Sequence, residues 1–188
     1  QRSKRRISAT NDGEAAFLGS EVSFICVGTP STKEGHLNLD GIFGVARKLA
    51  SVMSRKRDFH VVVVRSTVAP GTNRKITDLI EQISKKKAGR DFSVVSNPEF
   101  LREGTAVHDF LNPPYTLIGA ADERGFEVMK RVYAKIDAPI VRVDTKIAEM
   151  IKYINNSFHA LKICFANEVG SVCKSLGVDS HGLMRIFC

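Results

Sequence analysis

No two glycines in this chain lie two positions apart, which rules out a GxGxxG phosphate loop within it. No apolar run approaches the roughly 20 residues that a membrane span requires. The amino end, Gln1-Arg2-Ser3-Lys4-Arg5-Arg6, is basic, but no apolar h-region follows it, so no signal peptide is expected. The four cysteines, Cys26, Cys164, Cys173 and Cys188, form no CxxC pair and lie in or beside apolar segments. That pattern predicts buried thiols in a reducing compartment, not disulfides or zinc. The five histidines lack metal spacing, and HExxH and EF-hand patterns are missing, so no metal site is expected. No cysteine sits in the small-residue turn that an activated thiol needs.

What is present suits a globular protein: 188 residues, 43% of them hydrophobic, enough for one domain or one and part of another. The net charge of +8 raises nucleic-acid binding as a possibility. Four of the 28 basic residues, however, fall in the first six positions, and others cluster at Arg55-Lys56-Arg57 and Lys85-Lys86-Lys87. Those two clusters sit where helices should end and cations complement the dipole. Aromatic residues are not interleaved with them as a stacking surface requires. Neither nucleic acid nor membrane is an expected partner; an anionic small molecule is served equally well by the same field.

Strand-like runs cover Val22 to Val27, His60 to Arg65, Phe92 to Val95, Tyr115 to Gly119 and Ile140 to Val143. Helical patterns fall between them at Gly41 to Lys56, Asn73 to Lys87 and Arg124 to Ile136. The alternation predicts an α/β fold with a parallel sheet and right-handed crossovers. From Ile147 the pattern becomes one helix, with apolar residues from Ile147 and Met150 through Phe158 and Phe165 to Leu176. About 30 residues make a rod of roughly 45 Å. Gly177 is its natural stop, and Asp179 or Ser180 can cap a further helix.

Three successive strands finish in hydroxyl or carboxylate residues at one edge: Thr29, Thr67 and Glu99. Open α/β sheets bind ligands at that edge. The block Asn97-Pro98-Glu99-Phe100-Leu101-Arg102-Glu103-Gly104 reads either as a helix start capped by Asn97 or as a site, and the two are compatible. On the long helix, Lys152, Asn156 and His159 share one stripe, which suits a solvated face or a hydrogen-bonding surface.

These residues carry a resemblance. Phe24-Ile25-Cys26-Val27-Gly28-Thr29-Pro30-Ser31, Val64-Arg65-Ser66-Thr67-Val68 with Pro70-Gly71-Thr72, the Asn97 to Gly104 block, and Glu149-Met150-Ile151-Lys152-Tyr153-Ile154-Asn155-Asn156 strongly resemble, in order, the UDP-glucose/GDP-mannose dehydrogenase family. His159, Phe165-Ala166-Asn167-Glu168 and Asn112-Pro113-Pro114 look more like the members that oxidise GDP-mannose than those that oxidise UDP-glucose.

The resemblance implies a partial Rossmann-like sheet followed by a long central helix. Residues 1–145 are then the later part of an NAD-binding domain whose first βαβ unit is missing, and 146–188 a central dimerisation helix with the start of a middle domain. It also implies a four-electron oxidation of a sugar C6 alcohol to a carboxylate with two NAD molecules. Hydride leaves to give an aldehyde, a cysteine thiolate captures it, a second hydride leaves a thioester, and water releases the acid. On this chain Thr29 and Thr67 would contact NAD, with Thr67 also near the reacting water and Glu103 adjoining cofactor and substrate. Glu99 would assist proton transfer. Lys152 would stabilise the oxyanion. Phe100, Leu101 and Glu103 would hold the substrate, and Asn156 and His159 would hydrogen-bond the sugar nucleotide. Asn167, about 22 Å along the rod from Lys152, would reach only its nucleotide end or a site shared with a partner subunit. The family's glycine fingerprint and its Gly-Gly-Ser-Cys-like loop do not occur, and Cys188 lies in a helical stretch. The chain is therefore expected to be truncated at both ends and inactive alone, a piece of a cytoplasmic, homodimeric enzyme of polysaccharide precursor supply. A UDP-glucose 6-dehydrogenase fragment and a non-catalytic dimerisation or binding domain are the alternatives.

Overall fold

The computed structural model describes residues 7–188, so the basic run at 1–6 lies outside the described residues. The chain divides into a first compact unit that runs to Met150 and a second, Ile151–Cys188. In chain order the elements are α1 (Gly13–Leu18), β1 (Val22–Ile25), α2 (Asp40–Met53), β2 (His60–Val64), α3 (Thr72–Ser84), β3 (Phe92–Ser96), α4 (Ala106–Leu111), β4 (Thr116–Ala120), α5 (Glu123–Val132), β5 (Ile140–Val143), α6 (Thr145–Leu176) and α7 (Ser180–Phe187).

One five-stranded sheet runs β1-β2-β3-β4-β5, a partial Rossmann-like arrangement. The pairs β1–β2, β2–β3 and β4–β5 are parallel, while β3 and β4 are antiparallel. That one reversal departs from the wholly parallel sheet expected from alternation. The link between β3 and β4 carries only the six-residue α4. Without a long helix to lay across the sheet, the chain reaches β4 through a mainly irregular link, and β4 starts at the rim where β3 ended. β4 overlaps β3 only through Val95–Ala120 and Ser96–Gly119. Its first residues therefore stand beyond the end of β3.

The core follows the period of two. Val62, Val64, Phe92 and Val94 pack on one face with Ile42, Ala46 and Ala50 of α2 and Ile76 and Ile80 of α3. Val61, Val63, Val95 and Ile118 pack on the other with Met129 and Tyr133. Spacings of four on the helices put those residues on one stripe. Each such side chain contributes roughly 1.5–3 kcal/mol of burial free energy.

Lys56 lies just past α2, yet the carbonyls it serves belong to the end of α1 and the turn after it. Its ammonium donates to Phe17 O at 3.1 Å, Leu18 O at 2.9 Å and Ser20 O at 2.6 Å. The buried His60 shares Ser20 O through Nδ1 at 3.1 Å, while its Nε2 meets Ser23 Oγ at 3.0 Å. A carbonyl only accepts, so Nδ1 carries the proton. Burial first, and the Lys56 charge second, lower the His60 pKa to about 4.

The expected burial of the thiols is corrected: Cys173 is buried, whereas Cys26, Cys164 and Cys188 are exposed. Cys26 follows the edge strand β1, and Cys164 lies on an exposed stretch of α6. Apolar neighbours in sequence cover a thiol only where a second layer packs on them.

In the second unit α6 ends at Gly177, with φ +68°, and Val178 N donates to Cys173 O at 2.9 Å. The Asp179 carboxylate accepts from His181 N and caps α7. The rings of Phe165 and Phe187 meet at 5.8 Å. An apolar pocket of about 300 Å³ lies among Val169, Val172, Leu176, Val178 and Leu183. The expected apolar stripe is largely uncovered, with Ile154 59%, Phe158 58% and Leu161 63% exposed. Among the described residues no helix is long and apolar enough to cross a membrane.

Candidate active site at the carboxyl rim of the sheet

β1, β2 and β3 run parallel, so their carboxyl ends share one rim. Each hands the chain to a segment rich in hydrogen-bonding groups. Past β1, half-buried Thr29 donates from Oγ1 to the carbonyl of half-buried Thr67 past β2, at 2.9 Å. Ser66 Oγ donates to Val27 O at 2.6 Å. Two of the predicted rim residues are thus in direct contact.

Past β3 the chain does not enter a helix. Residues 97–105 are irregular, and α4 begins only at Ala106, with Thr105 before it. The reading of Asn97 as a helix cap is corrected. Asn97 is 1% exposed, and its Nδ2 donates sideways to Leu117 O at 2.8 Å instead of holding helix N–H groups. The offset start of β4 puts that carbonyl within reach. Glu99 is half-buried, and its Oε2 accepts from Leu101 N at 2.6 Å. The Phe100 ring lies edge-on to Tyr115, with centroids 5.8 Å apart. Leu101 and Glu103 are exposed. Glu103 therefore stands apart from the buried end of the block.

Behind the rim lie contacts that local patterns do not reveal. Arg65 Nη1 donates to Asn97 Oδ1 at 2.8 Å, to Asn97 O at 3.3 Å and to Tyr133 Oη at 3.3 Å. The Tyr133 hydroxyl donates to Asn97 Oδ1 at 2.5 Å. Burial pushes the Tyr133 pKa up, against the opposing Arg65 charge, so it stays an O–H donor at neutral pH. Glu149, 2% exposed, accepts from Gly71 N at 2.5 Å and from Asn73 N and Nδ2, both at 2.7 Å. A carboxylate from α6 thus closes the amino end of α3, four residues beyond Thr67. The sequence carried one signal for these, since Arg65, Asn97 and Glu149 lie inside the quoted motifs; Tyr133 had none.

On the second unit Lys152 is 7% exposed, while Asn156, His159 and Asn167 are exposed on α6. Among the described residues no group of three or more His, Cys, Asp or Glu is placed to hold a metal ion.

The rim fits part of a dinucleotide. The Thr29 hydroxyl and the Thr67 carbonyl it meets lie there, and a Cβ added at Gly28 would meet no atom within 4 Å, so a flat ligand can approach the main chain at that glycine. A glycine-rich loop for the pyrophosphate is not among these residues.

Sheet and crossovers define a Rossmann-like α/β domain. Residues 1–137 match the UDP-glucose/GDP-mannose dehydrogenase family, NAD binding domain, and residues 146–188 match its central domain, so the chain belongs to this family and carries its NAD-binding fold. GDP-mannose 6-dehydrogenase of Pseudomonas aeruginosa is 50% identical over 184 residues, covering 97% of this chain and 42% of that protein. UDP-glucose 6-dehydrogenase of Haloferax volcanii is 40% identical over 186 residues, 96% of this chain and 43% of that protein. Among solved structures, a ternary complex of GDP-mannose dehydrogenase from Pseudomonas aeruginosa superposes with TM-score 0.96 at 48% identity, over 100% of this chain and 43% of that one. The chain therefore spans less than half the length of these relatives.

Proposed function

We propose that this chain supplies the rim and central-helix part of an NAD-dependent nucleotide-sugar 6-dehydrogenase, oxidising GDP-mannose to GDP-mannuronate. The observation that carries the reading is the rim, where Thr29 touches Thr67 at the ends of adjacent parallel strands and Glu99 follows the third. NAD, when bound, accepts the hydrides. Thr29 and Thr67 hold it, with Glu103 adjoining. Glu99, half-buried, moves the proton of the C6 hydroxyl. Lys152, a buried ammonium on α6, opposes the negative charge that develops on oxygen. Phe100, Leu101, Asn156, His159 and Asn167 bind the sugar nucleotide. GDP-mannose is favoured over UDP-glucose because the GDP-mannose enzyme named above shares 50% identity and the UDP-glucose enzyme 40%. The uncovered apolar residues of α6 form a homodimer contact, and the protein works in the cytoplasm to supply precursors of uronate polymers.

NAD reduction tests this, measured with GDP-mannose and with UDP-glucose for this chain and for the complete polypeptide of its reading frame. The complete polypeptide is expected to reduce NAD with GDP-mannose and to lose that activity in Lys152→Ala, while this chain alone does not turn over. Preference for UDP-glucose overturns the substrate assignment. No turnover with either sugar by the complete polypeptide overturns the enzyme reading and leaves a non-catalytic binding domain. Turnover by this chain alone overturns the expectation that it lacks the nucleophile.

A further inference from the structure

Asn97 is 1% exposed, and its backbone N–H and C=O and both polar atoms of its side chain are hydrogen-bonded. Its N–H donates to Val64 O at 3.0 Å and its Nδ2 to Leu117 O at 2.8 Å. Its Oδ1 takes the Tyr133 hydroxyl at 2.5 Å and Arg65 Nη1 at 2.8 Å, and its carbonyl takes Arg65 again at 3.3 Å. β2, β3, β4 and the end of α5 thus meet on one amide. Arg65 stands two residues before Thr67, and Asn97 two residues before Glu99. We propose that Tyr133 and Arg65 are positioning residues for Glu99, acting through Asn97 to fix where the Glu99 loop leaves the sheet relative to Thr67. The proposal rests on the dehydrogenase reading above.

A group that transfers a proton must stand within about 2.6–3.2 Å of the atom it serves. Glu99 has no regular element to hold it there, because the chain stays irregular until Ala106 and is exposed from Leu101 onward. Where that irregular segment leaves the sheet therefore bears on where Glu99 stands. Sheet stability alone asks less: the backbone bond from Asn97 to Val64 already continues the ladder, and an aliphatic side chain would fill the space. Instead a phenol and a guanidinium converge on the amide. Among the described residues Arg65 pairs with no carboxylate, and its Nη1 is directed at Asn97 and Tyr133. A planar guanidinium is more constrained in direction than a rotating ammonium, so the Nη1 contact bears on angle as well as distance.

The test compares the complete polypeptide with Tyr133→Phe and Arg65→Lys. Tyr133→Phe is expected to lower kcat about ten-fold, with KM for NAD and sugar nucleotide held within about two-fold, because a small misplacement of a reacting group costs rate and not binding. The acidic limb of its kcat profile is expected to move by about half a pH unit, which a purely structural role would not cause. Arg65→Lys keeps the charge and loses the planar guanidinium that reaches Asn97, and is expected to act in the same direction. Unchanged kcat and pH profile in Tyr133→Phe overturn the proposal. If the wild type turns over no nucleotide sugar, the dehydrogenase reading falls separately. Positioning is then decided by carbon-13 NMR titration of the Glu99 carboxyl in this 188-residue chain. A changed titration in Tyr133→Phe upholds it, and an unchanged one overturns it.

Discussion

Replacing Glu149 with alanine removes the carboxylate that closes α3. Three donors then lose their acceptor: Gly71 N, held at 2.5 Å, and Asn73 N and Nδ2, each at 2.7 Å. Asn73 and Glu149 are each 2% exposed, so water does not replace the carboxylate without disturbing the packing. A buried donor left without a partner costs about 1–3 kcal/mol. The three losses share one carboxylate and do not simply add, so Glu149→Ala is expected to destabilise the first unit by about 3–5 kcal/mol. At about 2–4 °C per kcal/mol for a chain of this size, its thermal midpoint falls by about 10 °C. Glu149→Gln keeps the volume but turns an N–H₂ toward donors, and is expected to lose about 2–3 kcal/mol. Urea unfolding followed by circular dichroism measures both, and amide exchange at Gly71 and Asn73 localises the effect. A loss below about 1 kcal/mol in Glu149→Ala, or wild-type stability in Glu149→Gln, would refute the assignment of this carboxylate as the cap of α3.

His60 titrates at about 4 in the folded chain, against 6.5 for an unperturbed imidazole, so the unfolded state binds the proton first as pH falls. Its contribution is complete above about pH 6.5 and is lost on descending through about pH 4, amounting to about 2–3 kcal/mol. Urea midpoints at pH 7 and pH 4.5 should differ less in His60→Gln than in wild type; equal differences would count against it. Gly119 faces the start of α6, where an added Cβ would stand 2.6 Å from Ala148 Cβ and 3.0 Å from Thr145 Cα. Neither atom can rotate away, so Gly119→Ala is expected to cost about 1–3 kcal/mol, and a stable variant would show that α6 shifts freely. With Phe158 58% and Leu161 63% exposed, the chain is expected to self-associate, and Leu161→Glu to reduce this. A monomer in sedimentation at high concentration would overturn the dimer contact.

The elements that sequence resolved best were those whose period is strong. His60–Val64 and Phe92–Ser96 are buried at every position, as near-continuous apolar runs predict, and α6 runs to Leu176 before the Gly177 stop. The six-residue helices α1 and α4 escaped notice because one and a half turns carry too little periodicity. The antiparallel step was hidden as well, since strand and helix alternation does not show at which end of the sheet the next strand begins. The block at Asn97 shows the same limit from the other side. Its residues suit a helix start by type, but Asn97 found better partners in Leu117, Arg65 and Tyr133. Tertiary contacts outweighed a capping preference worth about 1 kcal/mol.

By itself, then, the sequence determined which strands lie inside, that Thr29, Thr67 and Glu99 end three of them, and that the chain resembles one family of dehydrogenases. Alternation and motif order are properties of neighbours along the chain, and they survive without a fold. Only the tertiary structure decided what holds those ends in place. Tyr133 reaches Asn97 across 36 residues, Arg65 reaches Tyr133 across 68, and Glu149 reaches Gly71 across 78. Local preference says which way a side chain faces; which distant group it meets is fixed when sheet and helices close around it.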